Sequence, residues 1–178
     1  FSSTSRFTLV DRYENVLSAT SSIESSFGSR LYTNGFFLNN QLTDFSFKII
    51  DKTGELIKNR PQAGKRPLSS MSPLIVFDQN DNFILTLGSP GGKAIISYVF
   101  KSLLSVFYMN ESIQEAIEKA NYIKIRNNTF VETDSLKKDL KDKALKRNLT
   151  SGLAIIRKYK NTFEAASDSR RDGTVRGN

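Results

Sequence analysis

The chain has no cysteine and no histidine. The first absence removes thiol nucleophiles, disulfides and thiolate metal sites. The second removes the imidazole base on which Ser/His/Asp machinery depends. A nucleophile in this sequence must therefore find its proton acceptor elsewhere. No apolar run approaches membrane-spanning length and no signal peptide is visible, so neither a transmembrane segment nor a leader is expected within the chain. Acidic residues are the minority: 26 Lys and Arg against 18 Asp and Glu give a net charge of +8. The basic residues are spread through Lys48 to Lys65 and Lys137 to Lys160 rather than gathered in one arm. That distribution describes a solvated surface, not a nucleic-acid footprint.

At 178 residues the sequence fits one ordinary domain, or one half of a larger one. Phe7 to Val10 and Val16 to Ser22 read as strands around the turn Asp11 to Asn15, and Pro73 to Phe77 with Phe83 to Leu87 as a hairpin around Asp78 to Asp81. Asp51-Lys52-Thr53-Gly54 reads as a turn. Ile95, Ile96, Val99, Phe100, Leu103, Leu104 and Phe107 keep helical spacing, predicting a helix that starts at Gly91-Gly92. Further helices are expected over Ser112 to Ala120 and, capped by Asp134 or Ser135, from Ser135 to Lys146. Leu153 to Ile156 and Thr162 to Ala166 close the chain as a strand pair before a charged tail. Strands on both sides of a helical block predict an α+β fold.

Two runs suit neither helix nor strand interiors: Lys65-Arg66-Pro67-Leu68-Ser69-Ser70-Met71-Ser72-Pro73 and Gly88-Ser89-Pro90-Gly91-Gly92. Each adjoins an apolar strand-like run, which places hydroxyls and a diglycine at strand ends. A polar, anionic ligand suits such a place. Read without further context, Thr4 is a hydroxyl near a terminus, Asp44 a turn or cap residue, Ser69-Ser70 an ordinary turn, and Gly91-Gly92 a tight strand-to-helix turn.

Together these segments resemble the small-subunit half of the γ-glutamyltranspeptidase family. The resemblance rests on Thr4-Ser5-Arg6-Phe7 through Asp11, Phe27-Gly28, Leu38-Asn39-Asn40-Gln41-Leu42-Thr43-Asp44-Phe45-Ser46, the GKRPLSSMSP run and GSPGG, all in the family's order. It covers about the first hundred residues and returns at Ala166-Ser167-Asp168-Ser169-Arg170-Arg171-Asp172-Gly173. It implies the four-layer αββα sandwich of N-terminal-nucleophile hydrolases, shared between two subunits cut from one precursor. Residues 1–3 would then lie upstream of the processing site, the Ser3–Thr4 bond.

The same resemblance assigns roles. Thr4 would be the nucleophile, with its own freed α-amine as base, and Ser22 the neighbouring hydroxyl that assists processing and turnover. Gln41 and Asp44 would hold the substrate ammonium, Ser69 and Ser70 its carboxylate. Glu24 stands where transpeptidases usually carry an Asn that contacts the same end of the substrate, and Arg6 where the family commonly has His. Gly91 and Gly92 would form the oxyanion hole. Asp168 to Arg171 match the C-terminal signature, with the arginines expected to pair carboxylates. The implied activity is transfer of the γ-glutamyl group of a glutathione-like amide to water or an amino acid, with no cofactor or metal. The implied partner is the large subunit, and the implied location periplasmic or extracellular. Two alternatives stay open: a cephalosporin-acylase-like enzyme for another acyl group, and a non-processing remnant that only binds.

Overall fold

The structure, a computed structural model, describes residues 4–140 and 143–177. They form two compact units, one of residue 4 with residues 22–70, the other of residues 5–21 with 71–177. Strands β1 (Thr4–Val10) and β2 (Val16–Ser22) pair in a two-stranded sheet. The turn between them is closed by Asp11, whose carboxylate accepts the N–H groups of Tyr13 and Asn15 and the Asn15 side-chain amide. The same D-x-x-x-N device recurs at Asp78 to Asn82. Both aspartates are local turn-formers of the kind whose side chain mimics a backbone turn.

In the smaller unit β3 (Tyr32–Thr33) and β4 (Phe36–Phe37) form a tight hairpin. Its central residues Asn34 and Gly35 both take positive φ, as a twist-matched two-residue turn requires. Phe37 packs edge-on against Phe27 and Tyr32, with ring centroids 5.2 and 5.1 Å apart. Gly28 is buried against the Leu38 carbonyl; a Cβ there would meet that oxygen at 2.1 Å. The chain then makes a 3-10 turn over Gln41–Asp44 and buries Phe45.

The larger unit is built on an antiparallel sheet of order β11-β10-β6-β5, from β5 (Leu74–Phe77), β6 (Phe83–Gly88), β10 (Ala154–Tyr159) and β11 (Thr162–Ser167). Ala154 pairs with Gly88, which sets the start of β10 beside the end of β6. After β6 a 3-10 turn, Gly92–Ala94, leads into α1 (Ile95–Phe107), and α2 (Ile113–Glu118) follows with Ser112 and Glu115 in a capping box. Between helix and sheet lies the core: Leu85, Leu87, Ile95, Val99, Val106, Ile113, Ile117, Leu153 and Ile155. Each such side chain contributes about 1.5–3 kcal/mol by leaving water. Thr86, alternating to the other face of β6, shares a hydrogen bond with Thr8 of β1 at 3.2 Å, and Ser18 of β2 donates to the Leu74 carbonyl.

Three features depart from the sequence reading. A hairpin of β7 (Tyr122–Ile125) and β8 (Asn128–Val131), absent from the sequence reading, follows α2. The helix expected over Ser135 to Lys146 is the short α3 (Asp134–Asp139), capped by Thr133; Lys141 and Asp142 lie outside the described residues. Past them Leu145–Lys146 forms β9, parallel to β8, whose edge offers a ladder that competes with continuing the helix. Finally, α1 buries Lys101, Ser102 and Ser105 while Ile96, Phe100 and Phe107 are exposed.

Candidate active site

The Thr4 hydroxyl lies 3.0 Å from that of Ser22, at the paired ends of β1 and β2. Ser22 is held in turn by the Glu24 N–H, which donates to its Oγ across 3.0 Å. Glu24 makes this possible by taking a left-handed φ of 69° that turns the chain sharply out of β2. Ser3 and the bond before Thr4 lie outside the described residues.

Glu24 is also the hub of a second group. Its Oε2 accepts hydrogen bonds from the Ser25 hydroxyl, the Asn40 amide at 2.7 Å and the Thr43 hydroxyl at 3.4 Å. The Ser25 bond above all, with those from Asn40 and Thr43 outweighing burial, holds this carboxyl below its ordinary range. The carboxylate thereby braces the 3-10 turn that carries Gln41 and Asp44. Within that turn the Gln41 side-chain amide donates to the Asp44 carboxylate. Asn59, which the sequence reading passed over, ties this turn to the serine run: its amide donates to the Asp44 carbonyl at 2.7 Å, and its carbonyl accepts the Leu68 N–H at 2.9 Å, one residue before Ser69. In the smaller unit, then, Thr4 and Ser22 meet directly, and Glu24, Gln41, Asp44 and the start of the Ser69-Ser70 run are joined through Asn40 and Asn59. Neither asparagine carries a motif of its own, although Asn40 stands inside the LNNQLTD run.

The diglycine belongs to the larger unit. Gly91 takes φ 140° and Gly92 φ 56°, both in the region that glycine alone enters readily. A Cβ on Gly91 would meet the Tyr98 ring at 2.6 Å. The 3-10 turn and α1 begin here, so backbone N–H groups and the positive end of the helix dipole collect at this corner, an arrangement suited to an anion. Gly88, where the loop starts, lies under Arg6, whose Nε would be 2.2 Å from a Cβ at that position. The Arg6 guanidinium donates to the Ala19 carbonyl and the Ser18 hydroxyl, each at 2.8 Å. Its Nε is buried without a hydrogen-bond partner, and burial lowers its pKa to about 10. An arginine held this way fills space and clamps β2; a neutral donor at the same place would cost less.

The C-terminal signature forms an ion-pair network. Arg170 binds Glu132 at 2.6 Å and Asp168 at 3.1 Å, and donates to the carbonyls of Ile117 and Glu118 at 3.0 Å. Burial works against the cation, but the two carboxylates outweigh it and its pKa is raised. The arginines were expected to pair with carboxylates. Arg170 does so, while Arg171 Nε donates to the Thr150 carbonyl.

Compared with known proteins, residues 2–177 match the family model described as gamma-glutamyltranspeptidase. The chain is 33% identical to the glutathione hydrolase proenzyme of Bacillus subtilis strain 168 over 98% of its own length. It is 30% identical to the capsule biosynthesis protein CapD proenzyme of Bacillus anthracis over 99%. It spans only 30% and 34% of the lengths of those two relatives. Among solved structures, the γ-glutamyltranspeptidase of Pseudomonas nitroreducens complexed with L-DON superposes with a TM-score of 0.83 at 28% identity, covering 97% of this chain and 98% of that one.

Proposed function

Since the chain belongs to the γ-glutamyltranspeptidase family, we propose that it is the threonine-bearing, small-subunit portion of an enzyme that transfers or hydrolyses γ-glutamyl amides. Its α+β fold is that of the γ-glutamyltranspeptidase branch of the N-terminal-nucleophile hydrolases. The observation that carries the proposal is the 3.0 Å contact between the Thr4 and Ser22 hydroxyls, with Ser22 fixed by the Glu24 N–H.

In this reading the Thr4 hydroxyl first attacks the carbonyl of Ser3. The peptide becomes an ester, and water releases a chain that starts at Thr4. The freed amine, whose ordinary pKa is near 8, then takes the hydroxyl proton as Thr4 attacks the γ-carbonyl of a glutathione-like amide. Ser22 accepts or relays a proton beside it. Gly91 and Gly92 donate to the oxyanion of the tetrahedral intermediate, a contribution of about 3 kcal/mol per donor. The amine leaving group departs, a γ-glutamyl ester on Thr4 remains, and water or an amino acid accepts the acyl group. Asp44 and Gln41 hold the substrate ammonium, Ser69 and Ser70 its carboxylate, and Glu24 orders the Gln41–Asp44 turn.

The other part of the precursor would complete the enzyme. The exposed apolar residues Ile96, Phe100 and Phe107 on α1, and Phe7, Leu9 and Leu17 on the β1–β2 hairpin, support a partner chain that covers them. Among the described residues no helix is long and apolar enough to cross a membrane, and a periplasmic or extracellular location is part of the proposal. Turnover of a γ-glutamyl anilide by the full, matured protein tests it. Release of the aniline is expected, whereas activity confined to other acyl amides would move the assignment to a cephalosporin-acylase-like substrate.

A further inference from the structure

A continuous chain of buried polar groups runs from the middle of α1 to the diglycine loop. Lys101, only 5% exposed, places its ammonium on three acceptors: the Lys119 carbonyl at 2.6 Å, the Asn121 side-chain oxygen at 3.1 Å and the Ile117 carbonyl at 3.4 Å. Three acceptors match the three protons of an ammonium. Asn121, fully buried, turns its amide to the Ser151 hydroxyl at 2.9 Å and the Leu149 carbonyl at 3.1 Å. Ser151 donates its own hydroxyl hydrogen bond to the Asp168 carboxylate. The next residue, Gly152, donates its N–H to Ser89 Oγ at 3.0 Å, and Ser89 donates to the Pro90 carbonyl at 2.7 Å. Gly152 is pressed so close to Pro90 that a Cβ would meet its ring at 2.6 Å. The residue after Pro90 is Gly91.

From this geometry we infer that Lys101 is a positioning residue for the oxyanion donors, acting through Asn121, Ser151 and Gly152 on the Ser89-Pro90-Gly91 loop. The inference rests on the reading of Gly91 and Gly92 as the oxyanion hole. Apolar packing would hold the same loop in place but would allow it to slide; a fully satisfied buried polar chain admits one arrangement. Lys101 reaches acceptors on both sides of the α2 C-terminus, so it locks the Asn121 amide in one orientation. Asn121 then fixes Ser151, and Gly152 follows. Desolvation by burial draws the Lys101 pKa down to about 8, with Lys119 and Arg170 lowering it and Asp168 and Glu132 raising it. The cation is thus kept at this site at a cost that an apolar side chain would avoid. A misplacement of about 1 Å at a catalytic donor can cost on the order of 100-fold in rate.

The test uses the full precursor matured to its two chains, with a γ-glutamyl anilide as substrate. Lys101→Met is expected to lower kcat by about 10- to 100-fold while KM stays within about threefold, because the donors act on the transition state and not on the bound amide. Lys101→Arg, which keeps a donor-rich cation, is expected to recover part of the loss. Should Lys101→Met fail to fold or mature, Ser151→Ala, which deletes one hydroxyl from the middle of the chain, carries the same expectation. Wild-type kcat in the variant that matures would overturn the inference, as would a loss that falls equally on kcat and KM and follows the drop in melting temperature. A wild-type enzyme inert toward the anilide would instead defeat the functional reading on which the inference stands.

Discussion

The Ser22 hydroxyl sits between two partners, the Thr4 hydroxyl at 3.0 Å on one side and the Glu24 N–H at 3.0 Å on the other. Because the Glu24 N–H already donates to it, the Ser22 oxygen is left with its own proton to give and a lone pair for Thr4. Ser22→Ala removes this relay without changing the backbone that positions Thr4. We predict that kcat falls by about 10², that maturation slows, and that the melting temperature is little altered. Steady-state kinetics on the matured protein check it; an unchanged kcat would contradict the assignment.

Gly91 tolerates no side chain. Its φ of 140° disfavours any L-residue, and the Tyr98 ring occupies the place of a Cβ. Gly91→Ala is predicted to shift the loop, lowering kcat by about 10²–10³, as loss of one oxyanion donor does. It should also cost about 1–3 kcal/mol of stability from backbone strain. Denaturant titration beside kinetics separates the two effects. Full activity in a destabilised variant would remove Gly91 from the oxyanion hole.

Lys101 makes the fold pH-dependent on the alkaline side. Its pKa is about 8 in the folded chain against an ordinary 10.5. Between those values the unfolded chain holds a proton that the folded one has released. Stability therefore rises with pH across that window, by on the order of 3 kcal/mol, and the gain is absent below pH 8. Denaturant titrations from pH 7.5 to about 10 on wild type and Lys101→Met check it; the variant should lack this component of the slope. Identical pH profiles would mean that the Lys101 ammonium is not desolvated in the folded state.

Much of this fold was legible from local signals. The β5–β6 and β10–β11 pairs follow from short apolar runs flanked by turn chemistry, and the D-x-x-x-N turns explain two of the hairpins. The existence of α1 followed from apolar spacing, but its buried face did not. Lys101 is inside because Ile117, Lys119 and Asn121 supply its acceptors, which no local pattern records, while buried Ser102 donates back to the Tyr98 carbonyl of its own helix. The β7–β8 hairpin has a weak signal in the alternating Ile123 and Ile125 before the Arg126-Asn127 turn and in Phe130 after it. The length of α3 depended on competition with the edge of β8, a tertiary effect. At the site, Thr4, Ser22, Gln41 and Asp44 came from the resemblance to a family. Asn40, Asn59 and Asn121, which connect such groups, are ordinary asparagines in sequence and become meaningful only through their hydrogen bonds.

The proposed mechanism requires Thr4 to become an N-terminal nucleophile with its own amine as base. The most direct test is the N-terminal sequence of the smaller chain after the full precursor has been expressed and left to mature. We predict a chain that begins at Thr4, with γ-glutamyl anilide turnover appearing in step with the cut and with neither cut nor turnover in Thr4→Ala. A protein still joined through Ser3 would lack the amine base, and turnover by that uncut form would contradict the mechanism outright. An uncut, inert protein would leave a chain that binds rather than catalyses.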